Sequence, residues 1–346
     1  MKKLLKNSIL RIADLLQIPK LALIFRDRQA TILLYHGVAP VIANYGIFNY
    51  RHKFIDPGVF LQQLTWINKY YQVVPLPSLI EPLTERKNIP KRVCCLTFDD
   101  GYRNLYEYAL PLLKKYNLPA TVFITTDLID GKNPLWMDRL EYSIGHLNTN
   151  KLSLEIDGIS REFLVADIAE KMTVDSFLRN HLKKSSPEEI YRLLDLLAEK
   201  SGKDLRKDFK TSPYRGLNWE EIKEMLESRI TFASHTLSHL ILSRLSNEQV
   251  FHEINDSNQR IIEKLGKSLP IFAYPNGQTG DFTDDTVKTL KQIGFEAAVT
   301  TDMDTATKAN GLYRLPRICL DGTDNSYIFR TTITGVLKAL RKLFPN

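Results

Sequence analysis

Three short apolar runs in this chain each stop at a side chain that can carry charge. Residues 93–98 run straight into Asp99, Asp100 and Gly101. Residues 229–234 end at His235, and residues 31–35 end at His36. Runs this short, rich in β-branched and aromatic residues and apolar on both faces, read as strands buried on both sides of a sheet. Helical patterns separate them: 57–70, with Phe60, Leu61, Leu64 and Ile67 at helical spacing, then 103–116, a helix capped by Asn218, another from Ser246 to Gly266, and 284–293. Further strands are expected at 72–76, 120–125, 270–274 and 296–300. Strands alternating with helices predict a parallel sheet. Polar residues gathered at strand C-terminal ends predict the rim of a β/α barrel.

Residues 129–215 break the rhythm. Alternating runs on either side of Asp157-Gly158 predict a hairpin, and Ser186-Pro187-Glu188-Glu189 opens a capped helix to about Lys200. This stretch reads as an α+β insertion, or lid, on one barrel loop. Trp136, Asp138 and Arg139 are within its reach for a substrate, but packing of the insertion itself is the favoured reading.

The strand ends carry the chemistry. Two adjacent carboxylates, Asp99 and Asp100, repel each other if both are buried and ionised, so a cation is expected beside them. The plainer alternative is an ordinary Asp-Gly turn. His235 and His239 stand four apart and are expected on one side of a helical turn; solvent-facing histidines are the alternative. Asp100, His235 and His239 together form the open three-ligand set of catalytic zinc, with a coordination position left for water.

The 346 residues, 43% hydrophobic and 25% charged, are those of a soluble globular chain. Cys94, Cys95 and Cys319 make no disulfide framework, and a reducing compartment is expected. The net charge of +7 is uneven. Residues 1–30 hold seven Lys/Arg and two Asp, net +5, and residues 329–346 hold four Lys/Arg and no acid, which leaves the body at −2. The N-terminal segment is amphipathic, with Leu4, Leu5, Ile9, Ile12, Leu15 and Leu16 on one side. Lys6, Asn7, Arg11 and Asp14 interrupt any signal-peptide core, and no stretch approaches the roughly 18 apolar residues of a spanning helix. Such a segment either lies on an anionic membrane or packs on the body or a partner. The expected location is cytoplasmic, peripheral to the membrane. Nucleic acid is not an expected partner, because the basic ends lack interleaved aromatics.

Thr97-Phe98-Asp99-Asp100-Gly101-Tyr102, followed by Ser234-His235-Thr236-Leu237-Ser238-His239, resembles the first two motifs of the polysaccharide deacetylase family, the NodB-like esterases of carbohydrate esterase family 4. Leu34-Tyr35-His36-Gly37-Val38, Phe272-Ala273-Tyr274-Pro275-Asn276-Gly277 and Leu315-Pro316-Arg317-Ile318 agree with it. The resemblance covers about residues 31–128 and 216–325. It implies a distorted, incomplete β/α barrel over 31–328, interrupted by 129–215, between a basic N-terminal segment, 1–30, and a basic C-terminal helix, 329–346. It implies metal-dependent removal of N-acetyl groups from an amino sugar of a polysaccharide or lipid-linked saccharide. Zn²⁺ is the expected ion, with Co²⁺, Ni²⁺ or Mn²⁺ as alternatives.

By the same resemblance Asp100, His235 and His239 hold the metal and Asp99 is the general base. The backbone N–H of Tyr102 meets the oxyanion, and Tyr274, Pro275 and Asn276 meet the substrate. The chain departs from the pattern in four places: Leu240 stands where Pro follows the second metal His, Asn276 stands where an aromatic is common, and the other two shift a role. No His follows His252, so His36 takes the general-acid role; no Arg lies in 272–277, so Arg317 orients Asp99. An O-acetyl sugar esterase and a catalytically inactive glycan-binding protein are the competing expectations.

Overall fold

Seven short strands form the framework: β1 (Ala30–Tyr35), β2 (Val93–Phe98), β3 (Ala120–Ile124), β4 (Ile230–Ser234), β5 (Ile271–Ala273), β6 (Ala297–Val299) and β7 (Ile318–Cys319). The computed structural model describes residues 2–25, 29–40, 42, 45–84, 88–320, 322 and 325–343. The main sheet has the order β7-β1-β2-β3-β4, with every ladder parallel and Gln72–Val73 added at the start of β2. β5 and β6 pair in parallel as a separate ribbon. A bridge from Val299 to Leu315 ties that ribbon to the chain entering β7. No ladder joins β4 to β5 among the described residues. The result is a distorted, incomplete β/α barrel, open along that seam.

Strand periodicity decides which side chains face the barrel interior. Leu33, Tyr35, Cys94, Leu96, Phe98, Val122 and Ile124 pack outward against helices. Ile32, Cys95, Phe123, Ala233, Ala273, Ala297 and Val299 pack inward. The adjacent cysteines Cys94 and Cys95 therefore belong to opposite layers, and both are free thiols. The inward set is mostly small. That leaves room inside for Arg317, which is fully buried with its guanidinium 5.6 Å from the Phe123 ring centroid.

Helices wrap the outside. Pro57–Tyr70 begins where the Asp56 carboxylate accepts from Gly58 N–H at 2.8 Å, and Asn247–Leu265 starts with a capping box at Ser246. Each such cap contributes about 1 kcal/mol. Between β3 and β4 the chain builds Trp136–Gly145, the antiparallel hairpin Lys151–Ile156 with Ile159–Leu164, and helices Ile168–Leu182 and Pro187–Ser201. These share an apolar cluster of their own, which includes Trp136, Leu140, Leu178 and Leu193. Trp136 thus packs within this segment, and Arg139 pairs with Asp195 at 2.6 Å.

At the ends, helix Lys2–Leu15 packs on Ser326–Ile333, and Asp14 pairs with Arg330. The C-terminal stretch is two helices rather than the expected one. Gly335, at φ 73°, separates Ser326–Ile333 from Val336–Leu343. That left-handed conformation suits glycine and stops a helix.

Candidate metal centre and active site

The inward register that buries Cys95 and Thr97 continues one step past β2 to Asp99, and that of Ala233 continues to His235. Both side chains therefore meet at one end of the barrel. Asp100 follows at φ 73° and Gly101 at φ 90°. A Cβ on Gly101 would stand 2.9 Å from Ile124 Cγ2, so this close turn requires glycine.

Asp100, His235 and His239 are all buried, and their ligand atoms lie within 4.8 Å of one another. His235 Nε2 is 3.6 Å and His239 Nε2 is 3.3 Å from Asp100 Oδ1. The His235 Nδ1–H donates to the Ala273 carbonyl at 2.7 Å, which leaves Nε2 as the free lone pair. That bond also crosses the open seam between β4 and β5. The ring thus joins two strands that share no ladder.

His235 and His239 do not sit on a helical turn as the spacing suggests. They lie on a loop, with Thr236 at φ 67° and His239 at φ 63°. Local side chains capture the backbone instead. Thr236 N–H donates to Ser234 Oγ at 3.3 Å and His239 N–H to Thr236 Oγ1 at 3.0 Å. Glu253 accepts from the N–H of Ser238 at 2.9 Å and from that of Leu237 at 3.1 Å. A β-branched residue in the left-handed region is strained, and such strain concentrates at functional sites.

Neither carboxylate oxygen of Asp100 accepts a hydrogen bond from a described residue, although the side chain is 1% exposed. The buried His239 Nδ1 is likewise unpartnered. An ionised carboxylate buried in this way is costly unless a cation completes it. Burial lowers His235 to about 4, against the pull of Asp99, and lowers His239 to about 3. Both rings are therefore neutral near pH 7, the form that binds a metal. One carboxylate and two neutral imidazoles fit a Zn²⁺-like divalent ion with room for other ligands.

Asp99 has the opposite surroundings. Arg317 donates to its two oxygens at 2.7 and 2.6 Å, to the Thr97 hydroxyl at 3.2 Å and, through Nε, to the Thr300 carbonyl at 2.9 Å. Burial alone would raise the Asp99 pKa. The Arg317 charge, with His235 and His36 adding to it, holds it below the ordinary carboxylate value.

His36 follows β1, where Gly37–Val38 pairs with Phe54–Ile55 and Val38 N–H donates to Asn104 Oδ1 at 3.2 Å. It is half-buried, and its charge bears on both Asp99 and His239. The Tyr102 backbone forms a bridge with Gly216 that uses the N–H groups of Arg103 and Leu217 and leaves that of Tyr102 outside it.

The third expected group is mostly buried. Tyr274 is fully buried, its ring stacked 3.7 Å from Phe282 and its hydroxyl donating to the Tyr313 carbonyl at 3.0 Å. Its side chain packs against Phe282. Pro275 is buried as well. Asn276, half-buried at φ 59°, donates through its amide to Asp281.

Sequence reasoning missed Lys53. The strand Phe54–Ile55 delivers it to the rim, where Nζ donates to the Tyr102 hydroxyl at 2.6 Å and pairs with Asp138. The Tyr102 hydroxyl in turn donates to Asp138 at 2.6 Å. Asp138 thus brings the inserted segment to the rim. A lone lysine before a two-residue strand gives no signal in sequence; only the long-range pairing reveals it.

Comparisons with known proteins agree with this geometry. The family model described as polysaccharide deacetylase matches residues 86–162 and 163–298. The poly-beta-1,6-N-acetyl-D-glucosamine N-deacetylase of Staphylococcus aureus strain MRSA252 is 24% identical over 314 residues, 87% of this chain and 82% of that protein. The Streptococcus pyogenes deacetylase PplD, solved with acetate, superposes with a TM-score of 0.59 at 20% identity, over 89% of this chain and 99% of that one. IcaB from Ammonifex degensii gives 0.54 at 18% identity, over 89% of this chain and 97% of that one. With the family model spanning well over half of its length, this chain belongs to the polysaccharide deacetylase family.

Proposed function

We propose that this deacetylase hydrolyses the N-acetyl amide of an amino sugar, in a polysaccharide or lipid-linked saccharide, with a divalent ion held by Asp100, His235 and His239. The observation that carries the reading is the contrast between two adjacent buried acids: Asp100 has no hydrogen-bond partner and faces two imidazoles, while Asp99 is clamped and ionised. The name of the S. aureus relative, an N-deacetylase of an N-acetylglucosamine polymer, favours an amide over an ester.

Asp100, His235 and His239 would hold a divalent ion, which when bound would supply Lewis acidity to lower the pKa of water and polarise a carbonyl. Asp99 accepts the proton of the attacking water, and Arg317 keeps its carboxylate aimed and charged. The Tyr102 N–H, free of the Gly216 bridge, donates to the carbonyl oxygen as that oxygen becomes negative. His36 gives a proton to the departing amine. Lys53 and Asp138 hold the Tyr102 ring, and with it the turn that carries this N–H.

The test is acetate release from N-acetylated and O-acetylated oligosaccharides, by chelator-treated protein and after zinc is restored. Zinc-dependent amide hydrolysis is the expected result. Turnover of esters alone would make the chain an O-acetyl esterase. Failure to take up zinc would leave only a glycan-binding protein.

A further inference from the structure

Six large aliphatic side chains stand in solvent within thirteen residues of the N-terminal segment: Ile12, Leu15, Leu16, Ile18, Leu21 and Ile24, from 38% exposed at Ile18 to 70% at Leu15. The same segment has a packed side. Leu10, Ala13, Pro19 and Leu23 are buried, helix Lys2–Leu15 rests on Ser326–Ile333, and helix Ile18–Ala22 rests on Val336–Leu343. The aliphatic face is therefore an outward one, held on a docked element. A patch this dense marks an interaction site.

The charge around it says what the partner is. The two segments that build this end of the molecule carry net +5 over residues 1–30 and +4 over residues 329–346, while the body between them is at −2. Arg11 and Lys20 are exposed among the aliphatics, and Arg341 is exposed on the last helix. A second copy docked face to face would set like charge against like charge. An anionic bilayer complements both features, accepting aliphatic side chains at its acyl boundary and cations among its headgroups. None of the helices among the described residues is long and apolar enough to cross a membrane, so the element would lie on the surface.

We infer that this face is a membrane-docking surface, which seats the enzyme on anionic lipid through the aliphatic side chains of residues 12–24, with Arg11 and Lys20 among them and Arg341 on the adjoining helix. The inference does not rest on the proposed amide hydrolysis.

The test is flotation of the full chain with vesicles of phosphatidylcholine alone and of phosphatidylcholine mixed with phosphatidylglycerol. Binding should favour the anionic vesicles and weaken as salt screens the headgroups. Leu15→Glu with Leu21→Glu should weaken it by about tenfold or more, since each removes a buried aliphatic contact and adds like charge to the lipid. Arg11→Glu with Arg341→Glu should also weaken it, more at low salt than at high. Acetate release from a soluble oligosaccharide should be unchanged in both variants, which also shows that they fold. Absence of flotation, or flotation that the leucine variant leaves intact, would overturn the inference. So would a dimer of the native chain in sedimentation that the leucine variant dissolves, because the face would then join two copies.

Discussion

Two buried charged regions lie side by side in this molecule and differ in how they end. In the inserted segment, Arg179 donates to both Asp175 oxygens at 3.0 Å, and Glu141 accepts from Asn49 N–H at 2.8 Å and from the Tyr214 hydroxyl at 2.7 Å. None of these charged groups is left without a partner. At the rim, the Arg317–Asp99 clamp is closed in the same way, but Asp100 next to it is left open. A closed network specifies structure, and an open one reserves its lone pairs for something else. Burial and charge alone do not separate the two regions; the count of unfilled acceptors does.

The largest expected effect comes from filling the open end. Asp100→Asn keeps a residue that tolerates a left-handed backbone but removes the charge. Zinc retention measured by metal analysis should be lost, with activity near background. The melting temperature of the metal-free protein should rise, because an uncompensated buried carboxylate is gone. A fall in melting temperature would mean that Asp100 is a structural acid like Asp175.

Next is the closed half of the rim. Arg317→Met should lower kcat by roughly a hundred- to ten-thousandfold by misplacing the base. It should also move the acid limb of the pH–rate profile upward, since Arg317 is the main group holding Asp99 low. An unmoved limb would assign that limb to another group. The matching change in the inserted segment, Arg179→Met, should cost about 3–5 kcal/mol in urea unfolding by stranding Asp175 and Glu141. It should leave the pH–rate profile of the folded fraction as it was.

A further effect is on pH-dependent stability. His235 and His239 titrate near 4 and 3 in the fold, against 6.5 for a free ring. Below 6.5 the unfolded chain binds protons that the folded chain does not, so stability of the metal-free protein should fall as pH drops from 6.5 towards 4. Above 6.5 this contribution is fully present. The Arg179→Met variant should show the same slope, and a urea midpoint flat across that window would remove the two rings as its source.

Much of the barrel was legible because short apolar runs and capped helices are local signals. The helix expected at 57–70 is Pro57–Tyr70, and the runs ending at His36, Asp99 and His235 are strands β1, β2 and β4. The Asp100, His235 and His239 group was legible because paired acids at one strand end and paired histidines at another are rare residue types in matching positions. The loop around the histidines was not. Spacing of four suggests a helical turn, but the Ser234, Thr236 and Glu253 side chains outcompete helical hydrogen bonding. Tyr274 looked like a rim residue from its motif, yet its ring fits against Phe282.

By itself the sequence determined the alternation of strand and helix, the placing of Asp99 and His235 at strand ends, and the basic, amphipathic character of the two ends. Those follow from backbone periodicity and side-chain chemistry within a few residues. Only the tertiary structure decided which partners those residues meet. Arg317, set beside Asp99 beforehand only through the family resemblance, reaches it from 218 positions away, and Lys53 reaches Asp138 from 85 away. Only there, too, does Asp100 prove to be left without a partner. Contacts that close loops of this length depend on how whole elements pack, and local sequence carries no record of them.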